Sequence, residues 1–251
     1  MAIFLIAFVL LLVIGVPISI SIGASAVLGC LSLGYPLVVI GQKMVSGIDS
    51  FLLIAVPLFI LAGNLMNAGK ITEKIFDTAK ELVGWIPGGL GHANVVASII
   101  FAGMSGSAVA DAGGLGAIEM EAMKKNGYDE DFAGAVTAAS SVIGPIFPPS
   151  IPLIIYGSVA SVSVDQLFMG GVVPGLLMGV LLMVMVLYFA IVRRYERHPF
   201  RLRALIRQFL GSIPALITPV IILCGFVVGW FTPTEASSIA VIYSLLIALF
   251  L

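Results

Sequence analysis

The sequence predicts an all-α polytopic membrane protein with about seven spanning helices, one of them broken, plus a re-entrant helical hairpin. Three observations carry that fold class. First, the 251 residues are 60% hydrophobic and only 10% charged, with a mean hydropathy of +1.18, whereas a soluble domain carries about 25% charged residues. Second, residues 1–42, 51–69, 82–110, 132–164, 166–192, 208–234 and 236–251 contain no Asp, Glu, Lys or Arg, and about 20 apolar residues are enough to cross a bilayer. Third, 132–164 carries a Gly and Pro cluster in its middle and 82–110 a Gly/Ser cluster toward its end, so neither can be a plain rod.

The lipid bilayer is therefore the expected surroundings. A net charge of −1 offers no basic surface for nucleic acid. The first residues lack the basic region of a secretory signal and run on into more apolar sequence. Cys30 and Cys224 lie in apolar runs, which predicts small buried hydrophobes rather than a disulfide or metal ligands. No transition-metal cluster and no resident cofactor is expected.

Residues 1–42 would measure about 63 Å as one helix, twice the hydrocarbon thickness, so the chain must turn. Bends at Gly15–Pro17 and Gly23 predict helices near 2–20 and 22–44. A third helix covers 51–69 and ends on Gly69. Together 1–69 form the expected scaffold. Residues 70–86 differ: Ile71, Ile75, Phe76, Ala79, Leu82 and Val83 share one helical face, opposite Glu73, Lys74, Asp77, Lys80 and Glu81. That pattern fits a helix lying in the membrane interface, with Trp85 at headgroup level.

Residues 87–127 carry FAGMSGSAVADA in their middle. The arm before it, 91–104, is too short to span, so two arms around a Gly/Ser tip predict the re-entrant hairpin. Glu119, Glu121, Lys124 and Lys125 at the far end predict that its last two turns are wet. In 128–161, Gly144, Pro145, Pro148, Pro149 and Pro152 interrupt an otherwise spanning stretch. Each interior proline costs a helix about 3 kcal/mol, which predicts two half-helices around an unwound 144–150. Residues 162–230 then form helices near 166–192 and 211–230 around an Arg-rich loop at 193–207, and 231–251 begins a last helix.

Topology agrees with the hairpin. With one re-entrant element, Lys70, Lys74, Lys80, Lys124, Lys125 and the arginines of 193–207 fall on one face, cytoplasmic by the positive-inside rule. The N-terminus then lies outside. GVPISISIGASA (15–26) and FTPTEASSIAVI (231–242) share a Pro, a Ser and an Ala in register. They fit corresponding elements of an inverted repeat.

Two unwound tips at mid-depth form the arrangement that secondary transporters use: carbonyls hold Na⁺, and half-helix N-termini face an anion. The alternative is close helix packing by small residues. Gly103-Met104-Ser105-Gly106 also matches the GxSG string of intramembrane proteases, but a serine nucleophile needs a base nearby. His92 lies near the surface and His198 in the Arg loop, so no enzyme is expected. Asp111 is a candidate for ion or proton tuning, or else a helix-start carboxylate. Asn64 contacts either the hairpin and substrate or only a neighbouring helix. Thr137, Ser140 and Ser141 line a cavity or bond back to their own helix.

VPLFILAGNLM (56–66), FAGMSGSAVADAGGLGAIE (101–119), GYDEDFAGAVTAASSVIGPIFPPSIPLIIYG (127–157) and GGVVPGLLMG (170–179) resemble the large membrane subunit of tripartite ATP-independent periplasmic (TRAP) transporters. The resemblance implies the first half of an inverted-repeat fold of the ion-transporter superfamily, in a bacterial or archaeal inner membrane. It implies Na⁺-coupled import of organic acids such as C4-dicarboxylates or sialic acid, by an elevator motion and without ATP. The implied partners are a small four-helix membrane subunit and a periplasmic substrate-binding protein. By position, Ser105, Gly106, Ser107, Gly144 and Pro145 would bind Na⁺, with Ser107, Ser150 and Asn64 toward substrate. Family members are longer, so a fragment carrying half of the site is expected. A stand-alone Na⁺/anion symporter and a non-transporting structural subunit are the alternatives.

Overall fold

The computed structural model describes residues 2–195, 197, 199 and 201–250, the side chains of Val227 and Phe250 excepted. Every regular element among them is helical. The chain divides into two compact units, 1–50 and 51–251.

The first unit holds α1 (Ala2–Val13), α2 (Ile18–Ser32) and α3 (Val38–Ile48). The predicted pair near 2–20 and 22–44 is thus three shorter helices. The first turn falls at 14–17, as Gly15 and Pro17 suggest, while Gly23 stays inside α2. A second break at 33–37 follows from Gly34 and Pro36: Gly34 has φ +71, and Pro36 disfavours helix in the residue before it. α1 packs on α2. Their outer faces, including Ile3, Leu5, Ile6, Ile20 and Leu31, are exposed. Such faces suit lipid rather than water.

In the second unit a 3₁₀ turn (Phe51–Ile54) leads into α4 (Ala55–Ala68). α5 is Ile71–Val83, α6 Gly89–Ser105, and the returning arm of the hairpin is α7 (Ala108–Ala110), a π-turn (Asp111–Leu115) and α8 (Gly116–Lys125). The broken helix is α9 (Glu130–Ser141) and α10 (Ile151–Ala160); α11 (Val164–Arg193), α12 (Leu202–Val228) and α13 (Pro233–Phe250) complete the unit. Three stretches, Phe51–Ala68, Val164–Arg193 and Leu202–Phe226, are long and apolar enough to cross a membrane.

The unit boundary at Ser50 separates α4 from the scaffold stretch 1–69 in which the sequence grouped it. α4 buries Phe59, Ala62 and Met66 and packs on α13 and α6. α5 buries the predicted stripe Ile71, Ile75, Phe76 and Ala79, but Leu82 is exposed. A buried bond from Thr78 Oγ1 to Ser212 Oγ, 2.7 Å, ties α5 to α12, and Ser212 Oγ donates on to the Lys74 carbonyl at 3.2 Å. α6 is buried along most of its length. The 17-residue helix is short for a span and sits among α5, α9, α11 and α12.

Two expectations need correcting. Glu119 is not wet: it is fully buried, on the face of α8 turned inward. Glu121 and Lys125 stay exposed and pair at 2.6 Å, as do Lys124 and Glu130 at 2.8 Å. Nor are the cysteines both buried. Both are free, Cys30 half-buried and Cys224 exposed on the outer face of α12.

Where hairpin, broken helix and α11 come to the surface, aromatic rings gather. Tyr128 stacks on Tyr195 with centroids 4.2 Å apart, and Phe132 packs between Tyr195 and Phe189. Arg193 lies over the Phe132 and Phe189 rings and pairs with Asp129. The Tyr195 hydroxyl donates to Asp129 Oδ2 at 2.9 Å. That hydroxyl first, and then the Arg193 guanidinium, hold the Asp129 carboxyl below its ordinary range. Tyr128 Oη accepts from the Leu90 amide at 3.4 Å, drawing the start of α6 into the same cluster.

Candidate functional site

Two interruptions of helix meet in the second unit. α6 ends at Ser105, Gly106 takes φ +60, Ser107 is extended, and helix resumes at Ala108. Ser107 Oγ accepts from the Ala110 amide at 3.3 Å, an N-cap that satisfies one of the free first-turn donors. The second interruption spans 142–150, matching the predicted unwound segment. There Ser150 Oγ accepts from the Leu153 amide at 3.2 Å and donates to the Pro145 carbonyl at 2.5 Å. Pro152 falls in the first turn of α10, where a missing N–H breaks no helical bond. Both interruptions therefore end in a serine-capped helix start.

The tips touch through backbone. The Ile151 amide donates to the Gly106 carbonyl at 3.2 Å. A methyl on Gly106 would stand 2.4 Å from the Pro149 carbonyl oxygen, and one on Gly144 would stand 3.2 Å from the Ser107 carbonyl carbon. Ser105 is fully buried, and its hydroxyl has no hydrogen-bond partner. Its Cβ faces Gly63 of α4, where an added methyl would lie 3.2 Å away. Ser105, Gly106, Ser107, Gly144, Pro145 and Ser150 are thus brought together.

Asn64 stands apart, exposed on α4. Asn67, one turn on, instead meets the hairpin: a methyl on Gly114 would fall 2.2 Å from its Nδ2, and its Oδ1 is buried without a partner. In the sequence, Asn67 is marked only by its three-residue spacing from Asn64, which puts the two within one turn. Asp111 is buried and opens the π-turn of the returning arm; π-turns are frequent at functional sites. The Ser98 hydroxyl approaches the Asp111 carboxyl, but no bond of normal geometry joins them. Glu119 lies within electrostatic reach of Asp111.

Behind the tips, α6 and α9 share a buried polar chain. Asn94 Nδ2 donates to Thr137 Oγ1 at 2.8 Å, Ser140 Oγ donates to Asn94 Oδ1 at 2.7 Å, and Ser98 Oγ donates to Ser140 Oγ at 3.1 Å. Ser140 and Ser141 also bond back to carbonyls of their own helix. Asn94 and Ser98 are four residues apart on the face of α6 that meets α9. That spacing was the signal available in the sequence.

A serine nucleophile does not fit this geometry. Ser105 Oγ has no partner, and His92 lies about 20 Å back along the same helix. His198 lies outside the described residues.

The family profile of the tripartite ATP-independent periplasmic transporter, DctM component, matches residues 5–251. This chain belongs to the TRAP large permease family. It is 50% identical over 205 residues to the sialic acid TRAP transporter large permease protein SiaM of Vibrio cholerae, covering 81% of this chain and 48% of that protein. Against the sialic acid TRAP transporter permease protein SiaT of Haemophilus influenzae, identity is 50% over 210 residues, 83% of this chain and 34% of that one. The 2,3-diketo-L-gulonate TRAP transporter large permease protein YiaN of Escherichia coli is 42% identical over 211 residues, 84% of this chain and 50% of its own. The TRAP permease chain spans about half the length, or less, of these curated relatives. The relatives it matches are named as transport permeases, and three of its own helices are long and apolar enough to cross a membrane.

Proposed function

We propose that the touching tips form half of a Na⁺-coupled site for importing organic acids. One observation supports this above the others: the buried, unpartnered Ser105 hydroxyl stands at a point where two unwound segments leave carbonyl oxygens outside any helix. A buried hydroxyl without a partner costs about 1–3 kcal/mol, which a hard cation ligated by oxygens would offset. Ser105, Gly106, Ser107, Gly144 and Pro145 supply the Na⁺ ligands. The helix starts behind Ser107 and Ser150 turn positive dipole ends toward a carboxylate. Asn64, exposed on α4 and apart from the tips, is left out of this site, and Asp111 tunes it.

The relatives named for sialic acid, diketogulonate and C4-dicarboxylates favour a carboxylate cargo. In this scheme hairpin and broken helix move as the transport domain of an elevator, and the N-terminus faces the periplasm. A small four-helix membrane subunit and a periplasmic binding protein complete the system.

The test is uptake of a labelled sugar acid or C4-dicarboxylate into proteoliposomes holding the complete transporter. Uptake should need both an inward Na⁺ gradient and added binding protein. Uptake without the binding protein would point to a stand-alone symporter, and none under any condition to a structural subunit. Unchanged uptake in Ser107→Ala and Pro145→Ala would remove the tip site.

A further inference from the structure

The Arg-rich stretch 193–207 does more in the structure than mark a topology. An open cavity of about 870 Å³ lies between the end of α5 and the first turns of α12, and Arg201, Arg203, Arg207, Gln208 and Glu81 line it. Three guanidiniums face one carboxylate. None of the three arginines makes an ion pair with a described residue. The cavity also reaches the start of a 27-residue helix, where Arg201 provides no side-chain cap. The first-turn amides there add partial positive charge.

Depth and neighbours identify the anion. The apolar span Leu202–Phe226 begins at this cavity, so its mouth lies at the level of lipid headgroups. Leu202, Ile206, Phe209 and Leu210 are exposed on the same turns of α12. Trp85, exposed one turn beyond Glu81, is the residue type that settles at that level. A soluble anion would use the guanidiniums and leave these apolar side chains bare. A phospholipid uses both, with its phosphate among the arginines and its acyl chains along the helix. Arginine suits the phosphate because its planar fork donates two parallel bonds.

We propose that the Arg201–Arg203–Arg207 cavity is a binding site for an anionic phospholipid, held by its phosphodiester. The site is separate from the touching tips and does not depend on the transport reading. Native mass spectrometry tests it on the intact protein released from nanodiscs of phosphatidylcholine with phosphatidylglycerol. The protein should retain phosphatidylglycerol in preference to phosphatidylcholine. Arg203→Gln/Arg207→Gln should weaken that retention about thirtyfold, at about fivefold per arginine near an anionic surface. Both side chains are exposed, so folding is not at stake, and Lys124→Gln/Lys125→Gln controls for lost charge elsewhere.

Equal retention by the arginine variant and the wild type would overturn the proposal. So would an equal loss in the lysine control, which would make the effect one of general charge. Displacement of the lipid by millimolar inorganic phosphate would also overturn it, by showing a site for free anions.

Discussion

Gly106→Ala probes the meeting of the tips most directly. Gly106 sits at φ +60, and a methyl there would stand 2.4 Å from the Pro149 carbonyl oxygen, 3.1 Å from its carbon and 3.2 Å from the Ile151 nitrogen. All three atoms are backbone, so no rotamer change relieves the contact. The left-handed conformation costs an alanine about 1–2 kcal/mol. Separating the tips forfeits the Ile151-to-Gly106 hydrogen bond, about 1 kcal/mol net. Against this, the unfolded chain loses about 0.4–1 kcal/mol of conformational freedom. The net is about 2 kcal/mol, or roughly 4–8 °C in Tm for a chain of this size. Thermal unfolding in detergent, followed by tryptophan fluorescence, reads it out. Gly113→Ala is the control: it lies in the same hairpin, and its added methyl meets nothing within 4 Å, so it should melt with or a few degrees above wild type. A Gly106→Ala protein that melts no lower than that control would refute the tip contact.

Asn94→Leu should cost about 1–3 kcal/mol, because it strands the Thr137 hydroxyl in a dry place and takes one partner from Ser140; adding Ser140→Ala should cost less than the sum of the two single changes, by denaturant titration. Tyr195→Phe removes the hydroxyl that most depresses the Asp129 carboxyl. A depressed carboxylate contributes stability above its unfolded pKa, near 3.8, and loses it as pH falls through the folded value. The Tm gap between wild type and Tyr195→Phe should therefore be full at pH 7 and close below about pH 4. Ser105→Ala should raise Tm in Na⁺-free buffer, since it removes a buried hydroxyl that bonds to nothing. In the complete transporter it should raise half-saturating Na⁺ about tenfold, at 1.4 kcal/mol for one lost ligand.

The features visible in the sequence were those that a helix cannot absorb locally. Four prolines in nine residues left no option but an unwound 144–150, whereas the Ser150 cap where helix resumes came only with the structure. The hairpin was legible because its first arm is short and its middle holds Gly106 between two serines. Features depending on facing surfaces were hidden. Glu119 looked wet because its sequence neighbours are charged, yet its own face turns inward. Asn64 and Asn67 are chemically alike, and only the path of the hairpin decides which of them touches Gly114. The second break in the first unit had its markers, Gly34 and Pro36, but an apolar run of 42 residues masked them.

Hairpin and broken helix are fastened to each other at both ends. At the tips Ile151 holds Gly106, and at the surface Tyr128 holds the start of α6 while Asp129 and the neighbouring rings hold Arg193 and Tyr195. Two rods riveted once can scissor; riveted twice, they make a plate. Such a plate can slide or tilt whole, but it does not splay, so the tips stay together through any movement of the pair.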